Sequence, residues 1–150
     1  MLYMSELNLP YYPLKTKVVG NRIYVFDDWR SKYVPLTPEE EVRQRFLHYL
    51  VDAFGYPHGR ICTERMVVVN GMRKRADAVV YNAQSVPQII IEFKSPDVHL
   101  NQGVFDQVAV YCRELDVDYF ILSNGLKHYA CRINRVNKCY EFMNSFPAIL

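Results

Sequence analysis

Three side chains are spaced to do chemistry together: Asp77, and the pair Glu92 and Lys94. Asp77 stands in Arg75-Ala76-Asp77-Ala78-Val79-Val80-Tyr81, and the pair closes Ile89-Ile90-Ile91-Glu92-Phe93-Lys94. Both runs read as strands. Side chains alternate along a strand, so Glu92 and Lys94 share one face while Ile91 and Phe93 take the other. A short turn joins the two runs, which makes Asp77 the expected spatial neighbour of Glu92. Two carboxylates held close repel each other and favour a bound divalent cation. Magnesium suits such a site, with manganese as its substitute, because it takes oxygen ligands and is usually held by one or two carboxylates plus substrate phosphate. The main-chain carbonyl of Phe93 would face the same point. Lys94 could orient or deprotonate an attacking water, or neutralise charge building on phosphorus. Such an assembly hydrolyses phosphodiesters. Taken alone, Glu-x-Lys at a strand end is more often a solvated rim pair, and Asp77 an ordinary edge residue; the conjunction carries the reading.

The elements that must position these groups follow from pattern. Thr37-Pro38-Glu39-Glu40 opens a helix, with Thr37 as N-cap, Pro38 at the first helical position and Glu40 completing a capping box. The consecutive glutamates suit the positive end of the helix dipole. Val42, Phe46, Leu50, Ala53 and Phe54 repeat at helical spacing, and Gly55 and Pro57 end the run. By helical angle Glu40 borders the apolar face near Leu47, Glu41 points to solvent, and Arg43 joins Leu47 and Leu50, where it pairs with a buried carboxylate rather than with substrate. Strands are expected over 61–69 and 73–81, turned by Asn70-Gly71, with Glu64 on the first of them as a weaker carboxylate candidate. A third strand spans 88–94, its isoleucines implying burial on both faces. A helix over 101–115, strands over 119–122 and 128–133 turned by Asn124-Gly125, and a short closing segment within 140–150 complete the core.

Residues 1–36 read as an N-terminal extension with a short β-hairpin, Lys15 to Val19 pairing with Ile23 to Phe26 across Gly20-Asn21, after which Asp27 to Lys32 break the pattern. Residues 37–150 form one domain. The order helix, hairpin, strand, helix, strand, strand is met most simply by an α/β fold in which helices flank a central mixed sheet.

Composition bounds the rest. Half of the 150 residues are apolar and 23% charged, which excludes a disordered chain. The net charge of +2 excludes bulk coating of nucleic acid. Cys62, Cys112, Cys131 and Cys139 show neither zinc spacing nor a disulfide framework. There is no phosphate-cradling or dinucleotide glycine motif. Met1 to Pro10 shows no secretory signal, and no apolar run approaches the roughly 20 residues of a membrane span, so the expected setting is the cytoplasm without a membrane partner.

The Asp…Glu-x-Lys arrangement resembles the PD-(D/E)XK nuclease superfamily. More narrowly, residues 32–125 resemble the N-terminal nuclease domain of type I restriction enzyme R subunits. The pieces are Thr37-Pro38-Glu39-Glu40 with Val42-Arg43-Gln44, Gly55-Tyr56-Pro57, Arg75-Ala76-Asp77, Ile91-Glu92-Phe93-Lys94-Ser95-Pro96, Gln107-Val108-Ala109-Val110-Tyr111 and Ser123-Asn124-Gly125. Ala76 stands where the superfamily's name has proline. The resemblance implies a restriction-endonuclease-like αβββαβ core and a magnesium-dependent DNA endonuclease. Asp77, Glu92 and Lys94 would be catalytic, and Glu40, Asp77, Glu92 and the Phe93 carbonyl would hold the metal. Gln107 and Tyr111, which share a helix face at i, i+4, resemble a Q-x-x-x-Y motif. The resemblance implies that Gln107 orders the lysine or the DNA, and that Tyr111 contacts the DNA. Arg73, Lys74 and Arg75 at the hairpin supply a basic patch able to track phosphates. No helicase-motor motif lies in this chain. The implied partners are therefore DNA together with a second copy, or a motor or methyltransferase subunit. A nuclease-fold module that binds DNA without cutting it, or an interaction subunit, is the alternative.

Overall fold

The computed structural model describes residues 6–69 and 71–150. Two sheets and two long helices are present among them. An antiparallel three-stranded sheet comes first, built from β1 (Thr16–Val19), β2 (Arg22–Asp27) and β3 (Lys32–Pro35). The expected hairpin is there, but β3 was not anticipated. The break at 27–31 is a tight turn rather than an end: the Asp27 carboxylate accepts the N–H groups of Trp29 and Arg30, and Ser31 takes a φ of 53°. The chain then reverses and pairs again.

Helix α1 spans Pro38–Phe54. Thr37 caps it by accepting the Glu40 N–H at 3.1 Å, and Gly55 closes it at a φ of 71°. Only the threonine half of the capping box forms, because the Glu40 carboxylate is drawn instead to Arg30 and Gln44. Glu41 is not solvated either. It is 4% exposed and pairs with Arg45, whose guanidinium also donates to the Leu9 and Pro10 carbonyls. Segment 6–14 and the first sheet cover the flank of α1 that an isolated amphipathic helix would present to water.

The main sheet has the order β4-β5-β6-β7-β8-β9, from β4 (Ile61–Val69), β5 (Met72–Tyr81), β6 (Pro87–Phe93), β7 (Tyr119–Ser123), β8 (His128–Asn134) and β9 (Cys139–Phe142). All neighbours are antiparallel except β6 and β7, which are parallel because α2 (Gln102–Glu114) crosses between them. The expected turn at Asn70-Gly71 lies where β4 and β5 meet, with Gly71 at a φ of 76°; Asn70 is outside the described residues. Strand β6 stops at Phe93, so Lys94 leads the following loop. Its N–H still bonds the Ser123 carbonyl at 2.9 Å. Ile89, Ile90 and Ile91 are wholly buried, as a strand covered on both faces requires. One face packs on α1 through Phe46, Leu47, Leu50, Ile89, Ile91 and Phe93, and the other on α2 through Ile90, Phe105, Val108, Cys112 and Phe120. The element order α1-β4-β5-β6-α2-β7 is that of a restriction-endonuclease-like α/β domain. No helix among the described residues is long and apolar enough to cross a membrane.

The turn between β7 and β8 ties the extension to the core. Gly125 holds a φ of 86°, its carbonyl accepts the Asn8 N–H, and a Cβ there would lie 2.8 Å from Val42 Cγ2 and 3.0 Å from Leu7 Cδ2. Gly125→Ala therefore combines a strained backbone with a clash into α1. We expect a loss of about 1–3 kcal/mol in chemical denaturation, whereas Gly59→Ala, with open space at its Cβ, should cost far less.

Candidate active site

The site forms where the sheet loses its regularity around Asp77. The pairing of β5 with β6 ends at Ala78 opposite Ile91, and one step further Asp77 stands opposite Glu92. There the Asp77 side chain replaces the main chain: its Oδ2 accepts the Phe93 N–H at 2.8 Å. On the other side the β4–β5 ladder skips the single step from Glu64 to Asp77, and Glu64 adopts a φ of 55°, a region that non-glycine residues rarely occupy. Three carboxylates thus follow one another across β4, β5 and β6 at the point where the ladder opens.

Their electrostatic settings differ sharply. Glu92 is pushed up to about 9, first by burial and then by the charge of Asp77 and a hydrogen bond with it; Lys94 opposes the shift. Glu64 is lowered although burial alone would raise it, because Arg43, Arg30 and Arg75 surround it. Arg43 Nη1 bonds Glu64 Oε1 at 2.5 Å, and Arg75 Nη1 bonds Oε2 at 3.0 Å. Arg43 also reaches Asp77 Oδ1 at 3.6 Å and Glu40 at 3.7 Å, and is only 6% exposed. It therefore spans three carboxylates, as its place on the apolar helix face requires.

Glu92 and Lys94 line a cavity of about 260 Å³ with Lys74, Arg75, Gln107 and Tyr111. The expected Gln107 and Tyr111 do share that side of α2. Gln107 is exposed, whereas the Tyr111 ring is 6% exposed beneath Lys74, whose ammonium lies 5.4 Å from its centroid. The Tyr111 hydroxyl is buried without a hydrogen-bond partner, within electrostatic reach of Glu92 and Asp77, and is shifted upward by burial. Arg73 is exposed on β5 and does not line the cavity. Phe93 is buried against Phe46, its N–H taken by Asp77.

Glu40 is not brought to the carboxylate pair. Its oxygens are held by Arg30 at 2.6 Å and Gln44 at 3.1 Å, with Arg43 standing between it and Asp77. The first-helix acid that senses the site is Glu39, raised by burial and by Asp77, with Arg43 and Lys94 opposing. The helical angle measured against Leu47 pointed to Glu40. It could not find Glu39, because the site sits at the end of α1 rather than along its apolar stripe. Arg30 was also missed; its only sequence signal was a position after Asp27-Asp28-Trp29.

The donor set fits a hard divalent cation: two neighbouring carboxyl groups, one of them pushed upward first by burial and then by the other's charge, beside an unpartnered hydroxyl. Among the described residues no three His, Cys, Asp or Glu side chains converge into a complete cage, so water and substrate oxygens would fill the remaining positions.

Two outcomes test this electrostatic account. Because Glu92 ionises at higher pH in the folded chain than unfolded, its contribution to stability is full below about 4.5 and is lost as pH rises through about 9. Melting in EDTA from pH 5 to pH 9 should lower the Tm of the wild type more than that of Glu92→Gln; parallel curves would refute the assignment. Removing Arg43 leaves Glu64, Glu40 and Asp77 facing one another, so Arg43→Ala should cost about 3 kcal/mol or more, with part restored by adding Glu64→Gln.

No curated protein matches the chain. The family model described as the type I restriction enzyme R protein N terminus matches residues 38–147, from the first turn of α1 to the closing tail. That stretch holds Asp77, Glu92, Lys94, Gln107 and Tyr111 in the order found above, and it leaves the β1–β3 sheet outside. Matched over well more than half its length, the chain belongs to the family of type I restriction enzyme R protein N-terminal domains.

Proposed function

We propose that this chain is a metal-dependent DNA endonuclease that hydrolyses phosphodiester bonds at Asp77, Glu92 and Lys94. The observation that carries the reading is the register that sets Asp77 on β5 beside Glu92 on β6, with Glu92 and Lys94 lining a cavity that Lys74 and Arg75 also line. Family membership supports a nuclease-related role.

Asp77 and Glu92 would hold magnesium or manganese, with the Phe93 carbonyl as a further ligand. Glu40 enters that shell only by releasing Arg30, so Glu39 is the better placed first-helix acid. A divalent ion held there supplies Lewis acidity toward the phosphoryl oxygen and acidifies a bound water. The half-buried setting of Glu92 and the bond from the Phe93 N–H to Asp77 would hold both carboxyl groups in place before substrate arrives. Lys94, on the loop directly after β6, meets the scissile phosphate from the same side and holds or takes the proton of the attacking water. Lys74 and Arg75 line the approach and neutralise flanking phosphates. Gln107 is exposed at the cavity and can contact Lys94 or the strand. The buried Tyr111 hydroxyl faces Glu92 rather than a base.

Plasmid nicking tests the reading. The wild type with magnesium or manganese should convert supercoiled to open-circular DNA, and EDTA should stop it. Lys94→Ala and Glu92→Gln should each reduce the rate by about 10²-fold or more. Cleavage undiminished in Lys94→Ala would place the activity elsewhere. Absence of cleavage with either metal would favour the non-cutting DNA-binding module.

A further inference from the structure

We propose that the outward face of the β1–β2–β3 sheet binds an unpaired nucleic-acid strand. The sheet has two unlike faces. Val25, Asp27 and Val34 point inward and are buried. Alternation puts Lys15, Lys17, Arg22, Tyr24, Phe26 and Tyr33 on the other side, with Lys17 opposite Tyr24 and Phe26 opposite Tyr33 in the pairing. Each ring carries a cation. Lys17 Nζ lies 4.0 Å from the Tyr33 centroid, Lys15 Nζ 5.2 Å from that of Phe26, and the Arg22 guanidinium 6.0 Å from that of Tyr24. The cations are exposed and the rings half-buried.

Asp27 is the only acid in the three strands, and it faces inward to Arg30. None of the described ion pairs engages Lys15, Lys17 or Arg22. The outward face therefore presents three positive charges that pair with no carboxylate among the described residues, each resting on one of three aromatic rings.

That combination matches one ligand chemistry. Aromatic rings accept bases by stacking, and neighbouring cations meet the phosphates that join them. A base arriving at a ring displaces the ammonium resting on it, and the freed ammonium turns to the adjoining phosphate. A duplex keeps its base faces stacked internally, so it would engage the cations and leave the rings unused. An acidic peptide would do the same. The sheet also lies outside the stretch matched to the family, residues 38–147. The proposal goes beyond hydrolysis and does not need it, since binding is read without metal.

Fluorescence anisotropy on the full chain in EDTA tests it, with labelled oligothymidylate and oligouridylate of about 12 nucleotides, a duplex of the same length, and polyglutamate as probes. Single strands should bind more tightly than the duplex, and the two single-stranded arms assign DNA or RNA. The double variant Lys15→Glu, Lys17→Glu should weaken single-strand binding about tenfold or more and flatten its salt dependence. Tyr33→Leu keeps apolar bulk and should weaken it about fivefold with melting unchanged. Full affinity in both variants would overturn the proposal, as would tighter binding of polyglutamate than of either oligonucleotide. Plasmid nicking separates the two readings. Sheet variants that bind normally while nicking persists defeat this proposal alone; lost binding in a chain that never nicks defeats only the hydrolytic one.

Discussion

Burying Glu92 against Asp77 sets an electrostatic problem that the neighbouring elements answer. A half-buried carboxylate beside a second carboxylate is disfavoured as an anion, so Glu92 is pushed well above the usual carboxylate range, first by burial and then by the charge of Asp77. The position is forced by packing: Ile89, Ile90 and Ile91 anchor β6 in the centre of the sheet, so the next side chain emerges where β5 and β6 part. An alternative in which Asp77 swings into solvent would leave the Phe93 N–H without its bond to Oδ2.

Compensation is arranged at graded distances. Arg43 closes on Glu64 at 2.5 Å but stands 3.6 Å from Asp77. The arginines lie closest to Glu64 and Glu40, while Asp77 Oδ2 is held by the Phe93 N–H. Lys94 opposes the Glu92 shift without cancelling it. Such an arrangement costs stability, since carboxylates held together repel one another. The strained Glu64 backbone belongs to the same arrangement, because it swings that carboxylate toward the arginines.

The N-terminal segment is part of this machinery through α1. Arg30, from the turn between β2 and β3, reaches Asp27, Glu40 and Glu64. It occupies the acid at the third helical position and closes the charge network from outside. Burial of Glu41, Gln44, Arg45 and His48 shows how completely the helix is enclosed. Cut off from residues 6–36, α1 would expose a polar flank and Glu40 would lose Arg30, keeping only Gln44 and Arg43. The Asn8 N–H bond to the Gly125 carbonyl makes a second connection, two residues past the Ser123 carbonyl that accepts the Lys94 N–H.

Much of this was legible in order and spacing alone. Thr37 and Gly55 as caps, the isoleucine run as a doubly covered strand, the Gly71 reversal and the crossover helix all follow from local chemistry, since caps, turns and periodicity depend on near neighbours in the chain. The adjacency of Asp77 and Glu92 was legible too, because a short turn between two strands leaves few ways to pair them. What the order of residues could not decide were relations between distant segments. These include the third strand after Asp27, the enclosure of Glu41, the diversion of Glu40 to Arg30, and the rise of Glu39 as the acid that senses Asp77. Each depends on a partner brought from another element, and charge–charge distances of 3 to 4 Å are set only when those elements pack. The sequence by itself determined which carboxylates lie near one another and roughly where along the sheet; the tertiary structure alone decided which of them lie against arginine and which stand where the sheet opens, because those partners come from distant elements.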